Sequence, residues 1–245
     1  MLRKSVLILF FILLCPFAQA SETVQLATYY GYAPWHVAED ARAGWNAHLA
    51  RKLTAMSGGR YRFESVFLPR KRLETLLRMG TVPMAVAWVH PRFFGDTGRT
   101  RFLWTGALME DASLIVSPAS APLEYDGPAS LRGKRFGAPA GHMFPDFEPW
   151  IASGEITRFT VPKLKTALLM MVWNHRLDFM IVDRSTLNAL KAENFIDPSL
   201  LHIASKPRAP SYERRILVPR DKPELFEFLN KAVATLGTQE GWMVE

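Results

Sequence analysis

The 245-residue sequence contains a single cysteine, Cys15, which lies in an apolar segment at the start of the chain. If this segment is removed on export, the remaining chain has no cysteine, which excludes both disulfides and a catalytic thiol. The sequence also lacks a Gly-rich phosphate loop, a His-x-x-x-His metal pair and a Gly-x-Ser-x-Gly nucleophile turn. These absences exclude several common enzyme classes, and the sequence predicts neither a cofactor nor a metal site.

Apolar runs long enough to cross a membrane are also missing after the first part of the chain. Two basic residues precede an apolar run over residues 5–17, which is followed by the small-residue sequence Ala-Gln-Ala. This pattern predicts a secretory signal peptide over residues 1–20, cleaved after Ala20. A membrane anchor is one alternative, but the run is short for a span. A lipoprotein modified at Cys15 is another, but Leu14 stands where a small residue usually precedes such a cysteine.

Basic residues are in modest excess and are scattered along the chain. The predicted signal peptide holds two of the 30 Lys and Arg residues and none of the 23 Asp and Glu residues, so 28 basic residues face 23 acidic ones, about +5. Such an excess favours acidic ligands or membrane surfaces. The basic residues form only small clusters, such as Pro-Arg-Lys-Arg and Glu-Arg-Arg, so nucleic acid is not an expected partner.

The rest of the chain alternates strand and helix patterns. Apolar and β-branched residues predict strands over 23–30, 61–68 and 84–89, and helical spacing predicts helices over 44–56 and 70–80. This β-α-β-α-β order predicts a parallel sheet with helices on both faces.

A second α/β unit follows a break in the pattern. Residues 119–130 are rich in Pro, Ala and Ser and predict a linker, after which the alternation restarts. Its clearest strand covers residues 179–183, and the next helix is expected to begin with Ser185 or Thr186 as its cap. Two such units predict a ligand cleft at their boundary.

Three segments follow one another in a recognisable order: YAPW over 32–35, SLRGKRFGAPAGH over 130–142 and HRLDFMIVDRS over 175–185. In order and spacing they resemble motifs of the periplasmic amino-acid-binding proteins of ABC importers, the type II binding proteins of solute-binding family 3. Each motif is weak by itself, but the resemblance covers essentially the whole chain after the signal peptide.

The resemblance implies an α/β fold with two lobes, each a mixed, mainly parallel sheet flanked by helices, joined by two crossover strands and closing on a ligand. It implies a first lobe over residues 21–118 and 206–245 and a second lobe over 119–205. It also implies a periplasmic monomer that captures a small solute, an amino acid or related zwitterion, and delivers it to an ABC permease.

The sequence departs from this family where a ligand would be held. The third strand begins with GTVPMAVAW, in which Pro83 replaces the expected acid-containing start. The segment whose arginine clamps the ligand carboxylate in the family becomes HPRFFGDTGRTR, which indicates an insertion, and His142 stands where the family has threonine. These departures weaken the case for an ordinary polar amino acid as the ligand.

Two acids bracket the apolar strand. Asp183 lies at its carboxyl end, where the resemblance implies hydrogen bonds from a ligand ammonium, and a carboxylate suits that role because charge-assisted bonds are strong. The alternative is that Asp183 only caps the following helix. Asp178, at the other end, is expected to be structural and to lie in a turn.

Two arginines are candidates for binding a carboxylate, since a guanidinium matches it with two parallel hydrogen bonds. Arg92 agrees with the family motif through its neighbouring proline, and Arg99 through its distance to Phe-Leu-Trp-Thr. The sequence does not choose between them, and a solvated loop charge is the alternative for each. Arg101 is a weaker candidate.

The remaining candidate ligand contacts are aromatic residues and histidines. Tyr32 and Trp35 offer flat walls for stacking or cation-π contact, or else pack their loop onto the lobe. Trp88 and His90 end the third strand and are expected to face the cleft. His142 follows a glycine turn near a helix start, where free backbone N–H groups attract anions, or is structural.

Three functions are consistent with these features. Solute capture for an importer is the preferred one, and it is not an enzymatic function. A sensory protein signalling to a membrane receptor would share every feature. An enzyme resembling cyclohexadienyl dehydratases would need Asp183, Glu110 or His142 to transfer a proton, but the sequence contains no evident acid–base constellation.

Overall fold

The computed structural model describes residues 21–37, 40, 42–80, 84–161, 163–239 and 241–243. The predicted signal peptide with Cys15, and the prolines at positions 83 and 162, lie outside the described residues.

The first half of the chain has the predicted alternation. Its elements are β1 (Glu22–Thr28), α1 (Trp45–Met56), β2 (Tyr61–Phe67), α2 (Arg70–Met79) and β3 (Met84–Val89). Strand β1 pairs in parallel with both β2 and β3. Every residue of β3 is buried, as expected for a continuous apolar strand covered on both faces.

Short elements follow, and the sequence pattern did not predict them. They are a 3₁₀ turn (Pro91–Phe94), β4 (Phe102–Trp104) and β5 (Met109–Asp111). A three-residue strand is too short to show a two-residue period, so only its hydrogen-bonding partner reveals it.

The second sheet contains most of the remaining strands. Its elements, with the helices that flank it, are β6 (Ser113–Pro118), β7 (Arg135–Pro139), α3 (Glu148–Ala152), β8 (Thr157–Val161), α4 (Leu164–Val172), β9 (Phe179–Asp183), α5 (Arg184–Ala192) and β10 (Leu201–Ile203). The chain then returns to the first sheet as β11 (Tyr212–Pro219) and ends in α6 (Pro223–Leu236).

Both sheets are mixed. The first has the order β2-β1-β3-β11-β4, with β5 also paired to β11, and the second has the order β10-β6-β9-β7-β8. The antiparallel pairs involve β11 in the first sheet and β6 in the second. These strands belong to the two segments that pass between the sheets, so the two-lobed α/β fold with two crossover strands is confirmed.

One predicted boundary differs from the sheet pairing. The strand over 113–118 was assigned to the first lobe, but β6 pairs with β9 and β10 in the second sheet. The change of sheet occurs at Ala112, between β5 and β6. The Pro- and Ser-rich segment beyond Pro118 marked the end of a strand rather than the passage between lobes.

Each lobe has its own apolar core. One buried cluster surrounds the first sheet, and two clusters cover the two faces of the second. None of the helices in the described ranges has the length and apolar character needed to cross a bilayer.

Asp178 lies in the bend before β9 and organises the start of the second sheet. Its carboxylate accepts hydrogen bonds from the Arg135 backbone N–H (2.7 Å) and from Nε (3.0 Å) and Nη2 (2.7 Å) of the same residue. These bonds from Arg135 lower the pKa of Asp178, although partial burial opposes them. The structural role predicted for Asp178 agrees with this geometry.

We expect Asp178→Asn to reduce the free energy of unfolding at pH 7, because it removes the ion pair with Arg135. The loss should be only about 1 kcal/mol, because the pair is partly exposed and screened by solvent. A lowered folded-state pKa stabilises the protein above the unfolded-state pKa, near 4 for Asp, and this stabilisation is lost as pH falls. Urea unfolding of both proteins between pH 7 and pH 3 should therefore show a constant difference above about pH 4 that shrinks as the pH falls below it. A difference that stays the same down to pH 3 would contradict the ion-pair explanation.

Candidate ligand-binding cleft

A cavity of about 420 Å³ lies between the two sheets. This volume is within the range of small-molecule sites. Residues from the ends of β1 and β3, from the turn after β7, from the end of β9 and from the segment before β11 line it. Four of the predicted ligand contacts are among them: Tyr32, Arg92, His142 and Asp183.

Asp183 faces this cavity but is bonded within the protein. It occupies the N-cap position of α5 without making a side-chain capping bond, and the helix begins at Arg184 rather than at Ser185 or Thr186. Its Oδ2 is 2.8 Å from a guanidinium nitrogen of Arg214, and its Oδ1 accepts a 2.7 Å hydrogen bond from the Tyr212 hydroxyl.

Arg214 is the centre of a buried polar cluster where β11 passes between the lobes. Its side chain is 0% exposed and also bonds to Asp111 (2.7 Å), the Tyr30 hydroxyl (2.9 Å) and the Trp88 carbonyl (2.6 Å). Burial alone would lower the pKa of Arg214, but its tyrosine and aspartate neighbours more than offset this and raise the pKa well above its usual value. Arg214 therefore remains charged.

Thr186 and Trp35 form another contact across the cleft. The indole Nε1 of Trp35 donates to Thr186 Oγ1 at 3.1 Å, and the indole ring lies 4.2 Å from the Arg214 guanidinium carbon. Trp35 is fully buried and does not line the cavity, so it does not have the predicted exposed stacking surface. It packs the first loop instead, which was the alternative considered for it.

Trp88 and His90 were expected to face the cleft, but neither lines the cavity. Trp88 has a φ of 67°, and β3 uses three residue steps between Val86 and Val89 where β11 uses two. This bulge breaks the two-residue alternation on which the expectation rested. It directs the Trp88 carbonyl to Arg214, while the indole is buried and bonds to Asn46 (3.1 Å).

His90 caps the turn that carries Arg92. Its Nδ1 accepts a hydrogen bond from the Arg92 backbone N–H at 3.2 Å. Burial and the positive charges of Arg92, Arg215 and Arg99 lower the pKa of His90 to about 4, so the ring is neutral at pH 7. A neutral ring can accept this bond.

Arg92 lines the cavity, whereas Arg99 lies outside it, in the exposed loop held by Asp96. The buried Asp96 carboxylate accepts from the backbone N–H groups of Thr100 and Arg101 and so fixes the loop that carries Arg99. Arg92 forms no ion pair with any residue in the described part of the chain, and its guanidinium lies 5.9 Å from the Tyr212 ring.

His142 contributes unbonded polar atoms to the cavity wall. Both ring nitrogens are buried and have no hydrogen-bond partner among the described residues. Burial lowers its pKa, which favours a neutral ring with one donor and one acceptor. The expected helix N-terminus is not adjacent, because α3 begins only at Glu148, so His142 would act through its ring and not through helix-end N–H groups.

Several wall residues were not identified from the sequence. They are Tyr29, Tyr30, Arg70 and Arg208, together with Arg214 behind the wall. The signal for Arg214 is the strand alternation in YERRILVP, which places it on the same face as Tyr212, Ile216 and Val218. Glu110, considered for proton transfer, is exposed on β5 and does not line this cavity.

Several solved structures of amino-acid-binding proteins have a similar fold. An ancestral arginine-binding protein bound to arginine has a TM-score of 0.70 and 15% identity, covering 91% of this chain and 96% of its own. A substrate-binding protein of a Streptococcus pneumoniae ABC uptake transporter with bound histidine has a TM-score of 0.69 and 16% identity, covering 88% and 87%.

A Salmonella typhimurium periplasmic binding protein with high arginine specificity has a TM-score of 0.67 and 17% identity, covering 91% and 96%. Comparison of the sequence with protein-family models finds no match, and a search of curated protein sequences finds none either. The chain thus has the two-lobed fold of the amino-acid-binding proteins of ABC importers. All three of these structural neighbours are binding proteins rather than enzymes.

Proposed function

We propose that the protein is an exported solute-binding protein that captures a small solute between its lobes and delivers it to an ABC permease. The cavity between two sheets joined by crossover strands, with Arg92, His142 and aromatic rings on its wall, is the observation that carries this proposal. Binding energy would favour the closed arrangement, because only there does the solute contact both lobes.

The structural neighbours support capture of a small solute, since arginine, glutamine and histidine are bound in them. The predicted signal peptide supports export to the periplasm, and we propose that the protein acts there as a monomer with a membrane permease. We propose Tyr32, Arg92, His142 and Asp183 as the cleft residues, with His142 directing its unbonded nitrogens to the solute.

A thermal-shift screen of the mature chain tests capture directly. The panel should contain amino acids, polyamines, small peptides and organic acids, because a ligand bound only by the folded state raises the melting temperature by mass action. A reproducible, concentration-dependent rise for one chemical class would support the proposal. No shift with any compound, repeated by calorimetry, would count against solute capture.

Arg92→Gln is expected to weaken binding of the tightest carboxylate found in that screen by about tenfold or more, because a charged hydrogen bond is lost in the cleft. Arg99→Gln is the matched control: it removes the same charge from the neighbouring loop outside the cavity wall. Calorimetric titration of both variants should show the loss only in the first. Equal losses would contradict the choice of Arg92 as the carboxylate contact.

A further inference from the structure

The guanidinium of Arg214 is surrounded by partners within the protein. It donates four hydrogen bonds, to Asp111 Oδ2, the Tyr30 hydroxyl, the Trp88 carbonyl and the Tyr212 hydroxyl. Its Nη2 also forms an ion pair with Asp183 Oδ2 at 2.8 Å. Such a cation is held from all sides and is fully buried.

Asp111, the second carboxylate in this cluster, has other partners for its charge. Its Oδ1 accepts from the backbone N–H groups of Ala112 (2.8 Å) and Ser185 (3.2 Å), and its Oδ2 accepts from Ser185 Oγ (2.5 Å). Ser185 lies in the first turn of α5, where the positive end of the helix dipole stabilises an anion. Asp111 thus caps α5 in place of Asp183, which leaves the Arg214 charge to balance Asp183.

The remaining charges on the cavity wall are also paired, with one exception. Asp146 bonds to Arg208 through Oδ2 and Nε (2.9 Å), and Arg70 bonds to Glu74 (2.8 Å). Among the described residues that line the cavity, the carboxylates are therefore Asp146 and Asp183, each already bonded to an arginine. Arg92 is the wall arginine without an ion pair, so the wall offers a position for a negative charge but no unpaired carboxylate for a positive one.

The rest of the wall is largely apolar and includes five aromatic rings. Tyr29, Tyr30, Tyr32, Phe93 and Phe144 contribute rings to the cavity. Burial raises the pKa of Tyr30 and Tyr32 well above its usual value, so both hydroxyls stay protonated and uncharged at neutral pH. Such a wall suits an apolar or aromatic body attached to a single charged group.

We propose that the ligand is a small carboxylic acid without an ammonium group, and that its carboxylate binds Arg92. Arg214 then takes the place beside Asp183 where the ammonium group of an amino acid would otherwise bind. This ligand class rests on the proposed function and narrows it. The protein itself supplies the positive charge that an amino acid would bring, so an α-amino group adds a desolvation cost without gaining an unpaired carboxylate.

Matched ligand pairs test the ligand class. Titration calorimetry on the mature chain would compare phenylalanine with hydrocinnamate and leucine with isocaproate, which differ only in the α-amino group, and would include phenethylamine and isoamylamine, which lack the carboxylate. We expect at least one acid to bind as tightly as its amino acid or more tightly, and neither amine to bind. The wider screen of amino acids, deaminated acids, polyamines and peptides runs alongside.

The possible results separate the two proposals. An amino acid that binds about tenfold or more tightly than its deaminated partner would overturn the ligand class and leave solute capture intact. Binding only by amines or polyamines would do the same. No binding by any compound in either panel would overturn solute capture and the ligand class together.

Asp183→Asn adds a test with opposite signs for the two ligand types. Asparagine keeps an oxygen that can accept from Arg214 but removes a negative charge from the wall, so an acid should bind severalfold more tightly. An amino acid held by Asp183 would instead bind more weakly. Asp178→Asn is the control at the far end of β9, bonded to Arg135, and should leave both affinities unchanged. Weaker binding of the acid in Asp183→Asn would contradict the proposal.

Discussion

Arg214→Met should lower the free energy of unfolding by about 3–5 kcal/mol, because it leaves buried carboxylates without their cation. Asp111 is 1% exposed in its side chain and Asp183 is 16% exposed, so water can replace little of what is lost. Tyr30, Tyr212 and the Trp88 carbonyl lose a hydrogen-bond partner at the same time. Urea unfolding followed by tryptophan fluorescence would measure the change.

Two further variants make the Arg214 result specific. Arg220→Met removes an exposed arginine from the turn after the same strand and should change stability by no more than about 0.5 kcal/mol. Adding Asp183→Asn to Arg214→Met removes the charge that Arg214 balances and should restore part of the loss. A loss similar to that of Arg220→Met, or no recovery in the double variant, would show that the cluster is not held by this charge pairing.

Asp96→Asn is expected to reduce the free energy of unfolding by about 3 kcal/mol, because the loop after the 3₁₀ turn is built around this carboxylate. Oδ1 accepts from the backbone N–H groups of Thr100 (2.8 Å) and Arg101 (2.9 Å), and Oδ2 accepts from Phe102 N–H (3.1 Å) and Trp104 Nε1 (2.8 Å). In asparagine one of these two oxygens is replaced by an NH₂ group, which is itself a donor. The two N–H groups that faced that oxygen would then have no acceptor. Thermal and urea unfolding would both report the loss.

The pH dependence of this loss follows from the pKa of Asp96. Burial raises that pKa, but the hydrogen bonds from Trp104 and the three backbone N–H groups outweigh burial and lower it overall. The wild-type advantage should therefore be complete above the unfolded-state pKa near 4 and should shrink as pH falls below it. Asp221→Asn, at an exposed turn, is the control and should have little effect. A loss independent of pH would indicate a steric cause.

The Asp96 loop and the Arg214 cluster explain why this cleft differs from a simple reading of the family motifs. Arg99 lies in this loop and does not line the cavity, whereas Arg92 does. The cluster pairs Asp183 with Arg214 within the protein.

The order of the regular elements could be predicted from local pattern. The buried strand Met84–Val89 and the helix Trp45–Met56 show clear periodicity, and the structure contains both. Strands β4, β5 and β10 could not be predicted in this way, because each has three residues and exists through pairing with a strand distant in the sequence. The misplaced boundary at β6 has the same origin, since sheet membership depends on the partner strand.

The sequence by itself determined the alternation of strands and helices, the two-lobed class and the residue types near the cleft, because periodicity and short motifs are local properties of the chain. Only the tertiary structure decided which side chains meet across the cleft. The bulge at Trp88, the loop around Asp96 and the pairing of Asp183 with Arg214 each depend on contacts between residues far apart in the sequence. Charge balance in a buried cleft is a property of such contacts, so it became visible only when both lobes were in place.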